Sequence, residues 1–317
     1  MRNFILTPIN GISALTMLFS AGRLQKKTSS LLIILALATL LPSLASGYDV
    51  LILQSRRDPA YEEVLKAFLV ANNASKRTIV LSDYADVDVT RIVREDQPRV
   101  ILTIGDAALT AARRSGQKPV VAAMALGIHN RKASHNNLTG VGMFAHPDRY
   151  MNIFKAMKIR RVGVIYSPAK SDWYMGLARH AAKDAGIELV IQTVAKPTET
   201  IDKLTKLSGK VDALWMLPDS TAVTRETTEA YFRFGQQQAV PVVSFATAYL
   251  GLGAAVVVDL DWQAIGRQAG TTIAALLRGS SLDGIPLSFP SNTTVNINPS
   301  VLKRLNSSLT MADFQLQ

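Results

Sequence analysis

Cysteine is absent from this chain of 317 residues. Without it the protein can form no disulfide, perform no thiol catalysis and build no cysteine-ligated zinc or iron–sulfur site. A lipid anchor on a mature N-terminal cysteine is excluded for the same reason. Any function must therefore rest on other side chains.

Long hydrophobic runs are also absent beyond the N-terminal segment. After residue 47 no stretch of twenty apolar residues occurs, so we expect a soluble body without a membrane span. Hydrophobic residues make up 48% of the chain and charged residues 19%, which is typical of a folded globular protein. The length is sufficient for two ordinary α/β domains.

Common catalytic signatures are missing as well. The chain has no G-x-S-x-G elbow and no Walker loop, and QSRR stands where a dinucleotide-binding loop would follow the first strand. We therefore expect no catalytic residues and no cofactor. His129, His135 and His146 share one loop-rich stretch, and His180 lies apart. They lack the close-spaced pairs and acidic partners of zinc sites, so we expect no metal.

The chain is basic, with a formal net charge of +11. Such a charge can favour anionic ligands or nucleic acid. The basic residues fall in scattered pairs, such as Arg113 and Arg114, with no long run or interleaved aromatics. We interpret them as a solvated surface and expect no nucleic-acid partner.

Residues 1–47 have the features of an export signal. Lys26 and Lys27 precede an apolar core over 31–41, and Ala45 and Gly47 provide the small residues that a signal peptidase requires. We expect cleavage near Gly47, with Ala45 as the alternative site, and a periplasmic location. An uncleaved membrane anchor is the alternative, and either arrangement places the body outside the cytoplasm.

Short β-rich runs alternate with longer helical patterns from Tyr48 onward. The strand candidates are 49–53, 78–81, 100–104, 120–125, 161–166, 188–194, 213–217, 242–245 and 254–258. The helix candidates are 60–71, 106–114, 171–185, 224–238 and 261–277. This alternation favours parallel sheets covered by helices on both faces, and continuous apolar runs suit strands buried on both faces.

Two groups of β-α units flank a turn-rich connector over 136–147, which predicts two similar lobes. We assign residues 48–142 and 254–284 to the first lobe and residues 143–253 and 285–317 to the second. The chain then crosses between lobes three times, and three crossings form a hinge.

Four segments, in order, resemble a known family. They read NNLTGVGMF…RRVGVIYSPAKSDW, DALWMLPDSTAV, GAAVVVDLDWQAIGRQAGTTIAALLRG and IPLSFPSNTTVNINPSVLKRL. They are similar to the connector, Pro-Asp loop, Gly-Arg-Gln-Ala helix and closing strand of ABC transporter substrate-binding proteins of the tryptophan/tyrosine-binding type. The resemblance implies an α/β fold of two Rossmann-like lobes with parallel sheets joined by a three-stranded hinge, the type I periplasmic binding protein fold.

The resemblance also implies a ligand between the lobes, held by loops at the strand ends, as open α/β sheets generally do. Carried over, the ligand-binding candidates are Gln54, Ser55, Arg56, Gly105, Asp106, Ala107 and Ala125 in the first lobe, with Ser167, Ser171, Trp173, Pro218, Asp219, Ser220, Ser244 and Phe245 in the second. Two departures, Asp106 in place of a small hydroxyl residue and Leu126-Gly127 in place of Asp-Pro, prevent us from carrying over amino-acid specificity.

Physical roles follow for some of these candidates. Arg56 can pair with a carboxylate and Asp219 with an ammonium, and Trp173, Tyr174 or Phe245 can stack on an apolar or aromatic part of a ligand. Helices that start near Asp106 and Ser171 can hold an anionic group. The alternatives are that Asp219 caps a turn, that Asp106 caps its own helix and that Trp173 belongs to the core. Arg56 has the alternative of a surface ion pair, since Arg57 and Asp58 adjoin it.

The sequence therefore predicts a monomeric periplasmic solute receptor that delivers a small molecule, an amino acid or related metabolite being one candidate, to an ABC permease. The alternative is a sensory module of the same fold that signals to a membrane partner. A secreted enzyme would need paired acid and base groups, and none is evident.

Overall fold

The computed structural model describes residues 47–129, 137–305 and Asp313. Residues 1–46 of the expected export signal lie outside this range, as does His135. None of the described helices has the length and hydropathy needed to cross a bilayer.

Five of the described strands form the sheet of the first lobe, all parallel, in the order β2-β1-β3-β4-β5. Every residue of β1 and β3 is buried, as the continuous apolar runs predict for strands covered on both faces. The strands are β1 (Val50–Gln54), β2 (Lys76–Val80), β3 (Val100–Ile104), β4 (Val120–Ala123) and β5 (Leu138–Gly140).

Six further strands form the sheet of the second lobe, in the order β11-β10-β9-β8-β6-β7. All pairs are parallel except β10 with β11. The strands are β6 (Arg161–Tyr166), β7 (Glu188–Thr193), β8 (Ala213–Trp215), β9 (Val242–Ser244), β10 (Val256–Leu260) and β11 (Thr293–Ile297).

Helices connect these strands. They are α1 (Pro59–Ala71), α2 (Val89–Asp96), α3 (Asp106–Arg114), α4 (Pro147–Ala156), α5 (Pro168–Ala185), α6 (Thr200–Thr205), α7 (Arg225–Gln238), α8 (Trp262–Leu277) and α9 (Pro299–Arg304). Their ends follow local chemistry. Asp261 accepts a hydrogen bond from the Ala264 N–H and caps α8, and Gly186, with φ of 69°, ends α5 in the left-handed region. Both signals were visible in the sequence.

The segment 254–284 does not lie wholly in the first lobe, as its sequence led us to expect. Its strand, β10, pairs with β9 and β11 in the sheet of the second lobe. Its helix, α8, packs on α1 and contacts β3 and β4 of the first lobe. The chain therefore crosses between lobes after the strand rather than before it, because β10 extends an existing sheet and is covered there on both faces.

Three chain segments connect the lobes and bond to one another. The first follows β5, the second joins β10 to α8, and the third leads from α8 to β11. Gly142 N–H donates to the Ser288 carbonyl (2.9 Å), Ser288 N–H to the Gly140 carbonyl (3.0 Å), and Asp261 N–H to the Asn292 carbonyl (3.3 Å). Mutual hydrogen bonds make these crossings one three-segment hinge.

The principal packing contacts between described helices and strands all fall within one lobe or the other. One apolar cluster nevertheless includes residues of both lobes, together with Val141, Phe144 and Ala145 of the first crossing. The lobes are thus joined at the hinge by buried side chains as well as by the backbone.

Candidate ligand-binding cleft

The carboxyl ends of the parallel strands in both sheets lie on the hinge side of their lobes. Gly140, the last residue of β5, leads directly into the first crossing, and Leu260, the last of β10, leads into the second. Because neighbouring parallel strands run the same way, the loops that follow them lie along these two edges. The site candidates from the sequence are in these loops.

The residues after β1 are held mainly by their own lobe. Gln54 is fully buried, and its Nε2 donates to Glu62 Oε1 (2.8 Å) and the Arg56 carbonyl (2.9 Å). Arg56 pairs with Asp58 (2.9 Å) over the Tyr61 ring, and this hydrogen bond raises the pKa of its guanidinium. The Arg56 side chain is 60% exposed, so it remains accessible to a carboxylate.

The start of α3 is built by two loops. Gly105 has a φ of 92°, and a Cβ there would lie 2.7 Å from Tyr61 Oη, so only glycine fits. Since glycine has no side chain to cap the helix, Ser55 does so from the neighbouring loop, accepting a hydrogen bond from the Ala108 N–H (2.9 Å). Ala107 is exposed at this helix end.

Asp106 does not cap its own helix, which was one of the two roles we considered. Its Oδ1 accepts from Gly127 N–H (2.7 Å) and its Oδ2 from Leu126 N–H (3.2 Å). It thus caps the short 3₁₀ helix Leu126–His129 that follows β4 and the buried Ala125. The physical reason is proximity: β3 and β4 are adjacent, so their loops meet.

Asp219 is buried in the second lobe, with 1% of its surface exposed. Its Oδ2 accepts from Ser167 N–H (2.9 Å) and Ser171 Oγ–H (2.7 Å), and its Oδ1 from the N–H groups of Thr221 and Ala222 (both 2.9 Å). Four donors satisfy this carboxylate, so the ammonium-binding role does not fit the arrangement. The three sequence candidates Ser167, Ser171 and Asp219 instead form one network that joins the β6 and β8 loops.

The remaining second-lobe candidates differ in accessibility. Pro218 and Ser244 are buried, and Ser244 Oγ contacts Met216 Sδ (3.4 Å). Ser220 is exposed, and Phe245 is half-buried edge-on to Tyr249, with ring centroids 5.2 Å apart. Asp259 of β10 accepts hydrogen bonds from Thr247 and so fixes the loop that follows Phe245.

Trp173, in the second turn of α5, belongs to an aromatic cluster beside the hinge. Its ring stacks on His129 of the first lobe, with centroids 3.4 Å apart and an interplanar angle of 18°. Phe144 of the first crossing lies edge-on to it at 5.2 Å, and Phe289 of the third lies at 6.2 Å. The cluster therefore draws residues from both lobes and two hinge segments.

Three members of this cluster, His129, Phe144 and Phe289, were not predicted as site residues from the sequence. His129 was considered only as a metal ligand. The usable signal was its position two residues beyond Gly127, in the same strand-end loop as the candidate Ala125. Burial lowers the pKa of His129 to about 4, so its ring is neutral at physiological pH.

Among the described residues, no three or more histidine, cysteine, aspartate or glutamate side chains are placed to hold a metal ion. His146 instead caps α4 through Nδ1, and its ring lies edge-on to Phe289 at 4.9 Å. A surface groove of about 620 Å³ lies in the second lobe, between residues 250–253 and residues 298–304.

Comparison with known proteins gives relatives that share this architecture. Residues 57–312 match the family model described as ABC transporter substrate binding protein. A tyrosine-binding protein of Clostridioides difficile strain R20291 is 24% identical over 181 residues, which cover 56% of this chain and 52% of that protein. The match thus spans about half the length of this curated relative.

Solved structures show the same fold. A ligand-free, open substrate-binding protein with adhesive properties from Clostridium difficile is 18% identical, with a TM-score of 0.62 over 83% of this chain and 96% of that one. A domain from Streptococcus pneumoniae in complex with L-Trp is also 18% identical, with a TM-score of 0.58 over 84% and 98%. With two parallel-sheet lobes and a family match over most of its length, the chain belongs to the ABC transporter substrate-binding protein family and has the type I periplasmic binding protein fold.

Proposed function

We propose that this protein is the periplasmic solute-binding component of an ABC import system and that its lobes close about the hinge on an aromatic amino acid. The observation that carries the proposal is the position of Trp173. Its indole lies at the carboxyl-end edge of the second sheet, beside two hinge segments and against a residue of the first lobe. Aromatic side chains so placed can stack on a planar ligand.

Two relatives support the choice of ligand class. One is a tyrosine-binding protein and the other is a domain in complex with L-Trp. Arg56 would pair with the ligand carboxylate, because its guanidinium is accessible and its partner Asp58 is itself partly exposed. Ala107 and Ser220 would line the cleft from opposite lobes, since both are exposed at strand ends.

Closure requires that the ligand bind the closed state better than the open one. A ligand held by Trp173 in one lobe and Arg56 in the other meets this requirement, because only closure brings both contacts to it. A membrane permease would then recognise the closed form. We propose that the protein acts as a monomer and binds no nucleic acid.

Binding without turnover also fits the buried carboxylate. Asp219 could serve as an acid or base only if one of its oxygens were free, and all four of its hydrogen bonds come from its own lobe. We therefore propose a receptor rather than an enzyme.

The test is a thermal-shift screen over the twenty amino acids, followed by calorimetry. L-tryptophan or L-tyrosine should stabilise the protein, by about 2.7 kcal/mol at a hundred times Kd. Trp173→Ala should weaken binding about tenfold, since an aromatic stack contributes about 0.5–1.5 kcal/mol. Leu177→Ala, one turn along the same helix at an exposed position, should leave affinity unchanged. Failure of both aromatic amino acids to bind would overturn the proposed ligand class.

A further inference from the structure

The stack of His129 on Trp173 is a direct contact between the two lobes. His129 ends the 3₁₀ helix after β4, and Trp173 lies in α5. Their centroids are 3.4 Å apart and their planes are within 18°. Aromatic carbon atoms in optimal contact are about 3.5–4.0 Å apart, so no ligand ring fits between these two. His129 covers this face of the indole.

The backbone that leads to His129 is held by hydrogen bonds to two side chains of α3. Asp106 accepts the N–H groups of Leu126 and Gly127. Arg113, two turns later on the same helix, directs its guanidinium to the carbonyls of Gly127 (3.3 Å) and Ile128 (3.4 Å). The Asp106 carboxylate thus binds the backbone N–H groups of residues 126–127, and the Arg113 guanidinium binds the carbonyl groups of residues 127–128. The position of the His129 imidazole is therefore set by the first lobe rather than by Trp173.

The residues around the stack leave space for the imidazole ring but provide no hydrogen-bond acceptor, among the described residues, for the indole N–H of Trp173. Gly142 of the first crossing faces the ring, and a Cβ there would lie 3.2 Å from His129 Nε2. Trp173 Nε1 is buried, and no acceptor for it lies among the described residues. Buried polar groups normally have a hydrogen-bond partner, so this donor is consistent with a position that a ligand completes. Burial also keeps the imidazole neutral, with the pKa lowered to about 4, so it stacks as an uncharged ring.

We propose that the His129 imidazole occupies the place on Trp173 that the planar ring of the ligand takes, so that binding displaces His129. This inference rests on the proposed function and adds a residue that sets specificity. A ligand must offer a planar ring to replace the histidine stack, which selects ring-bearing amino acids over aliphatic ones.

Displacement makes His129 a built-in competitor. In the free protein, ligand can bind only to molecules in which His129 has left the Trp173 ring. The apparent Kd is therefore the intrinsic Kd divided by the fraction of molecules in that uncovered state. Removing the imidazole should therefore tighten binding. A covered fraction of about 90% corresponds to a gain of about tenfold.

The experiment combines calorimetry with fluorine NMR of the full chain labelled with 5-fluorotryptophan. The chain has three tryptophans, and the Trp173 resonance is assigned by its loss in Trp173→Phe. In His129→Ala, the Trp173 resonance of the free protein should shift, and L-tyrosine should bind about tenfold more tightly than to wild type. L-leucine should bind neither protein measurably. His180→Ala, an exposed histidine on the helix of Trp173, is the matched control and should change neither readout.

A second variant keeps the proposal testable if His129→Ala does not fold. Asp106→Ala removes one side of the grip on 126–127 and should also tighten L-tyrosine binding, by a smaller factor. An unmoved Trp173 resonance in His129→Ala overturns the stack. If wild type binds L-tyrosine but neither variant binds it more tightly, the displacement of His129 is overturned while the proposed function stands. If no amino acid binds any of these proteins, the proposed function itself fails.

Discussion

At the scale of single residues, Asp219 shows how a buried charge is stabilised. The carboxylate is almost wholly removed from water and receives four hydrogen bonds, three from backbone N–H groups and one from Ser171. Burying an unpaired charge is costly, and hydrogen bonds to the ionised form offset that cost. We therefore assign Asp219 the role of joining the loops after β6 and β8.

Asp219→Asn should lower the free energy of unfolding by about 3 kcal/mol, because an amide NH₂ would then face donors. Urea denaturation measures the change. Glu229→Gln is the matched control, since the Glu229 side chain is 79% exposed and pairs with Arg233 at the surface, and it should alter stability by less than about 0.5 kcal/mol. Full stability together with weakened ligand binding would instead restore Asp219 as a ligand contact.

The sequence could place residues such as Asp219 and Trp173 at strand ends, because parallel strands fix which edge of the sheet a loop occupies. It could not give the direction of a side chain. Asp219 turns inward and Trp173 turns toward the opposite lobe, and the difference depends on donors and rings contributed by distant segments. His129 was missed for the same reason, since its partner is 44 residues away along the chain.

At the scale of elements, α1 and α8 form an extensively packed helix pair in the first lobe. A Cβ on Gly266 would overlap the Val64 carbonyl oxygen and lie 2.8 Å from Ala67 Cβ. Gly270, one turn later, faces Ala71 at 3.0 Å. These small residues let the two helix backbones approach. They therefore fix α8, and with it the second and third crossings, on the first lobe.

Gly266→Ala should destabilise the protein by about 2 kcal/mol, because the added methyl group forces the two helices apart. Gly176→Ala is the control: Gly176 lies inside α5, and a Cβ added there would meet no atom within 4 Å. It should stabilise by about 0.5–1 kcal/mol through helix propensity. Thermal melts measure the stability of both variants relative to wild type. An equal change in stability for the two variants would argue against close packing of α1 on α8.

Some helices could be predicted from the sequence, whereas others of similar length could not. Residues 106–114 were predicted as a helix and form α3, with a glycine before its start and two arginines at its end. α4 was missed because Pro147 was assigned to the turn-rich connector, whereas proline also suits the first position of a helix. β5 has three residues, too few for any periodicity to be seen.

At the scale of the whole molecule, the hinge decides what the lobes can do. Sequence alternation predicted two lobes and three crossings, yet it placed β10 in the wrong lobe. A strand pattern reports burial on two faces but not which sheet provides it. The observed arrangement puts a strand end of each lobe directly against a crossing, so a rotation about the hinge changes the separation of the two rows of loops.

The most direct test of the account is the distance between the lobes with and without ligand. The chain has no cysteine, so spin labels can be attached at Thr110→Cys in the first lobe and Thr198→Cys in the second, both exposed positions. Glu95→Cys with Thr110→Cys provides a control pair within the first lobe. Double electron–electron resonance spectroscopy measures both distance distributions. Saturating L-tryptophan or L-tyrosine should shift the interlobe distribution, while the control distribution stays fixed. An interlobe distribution that is identical with and without bound ligand would contradict the account.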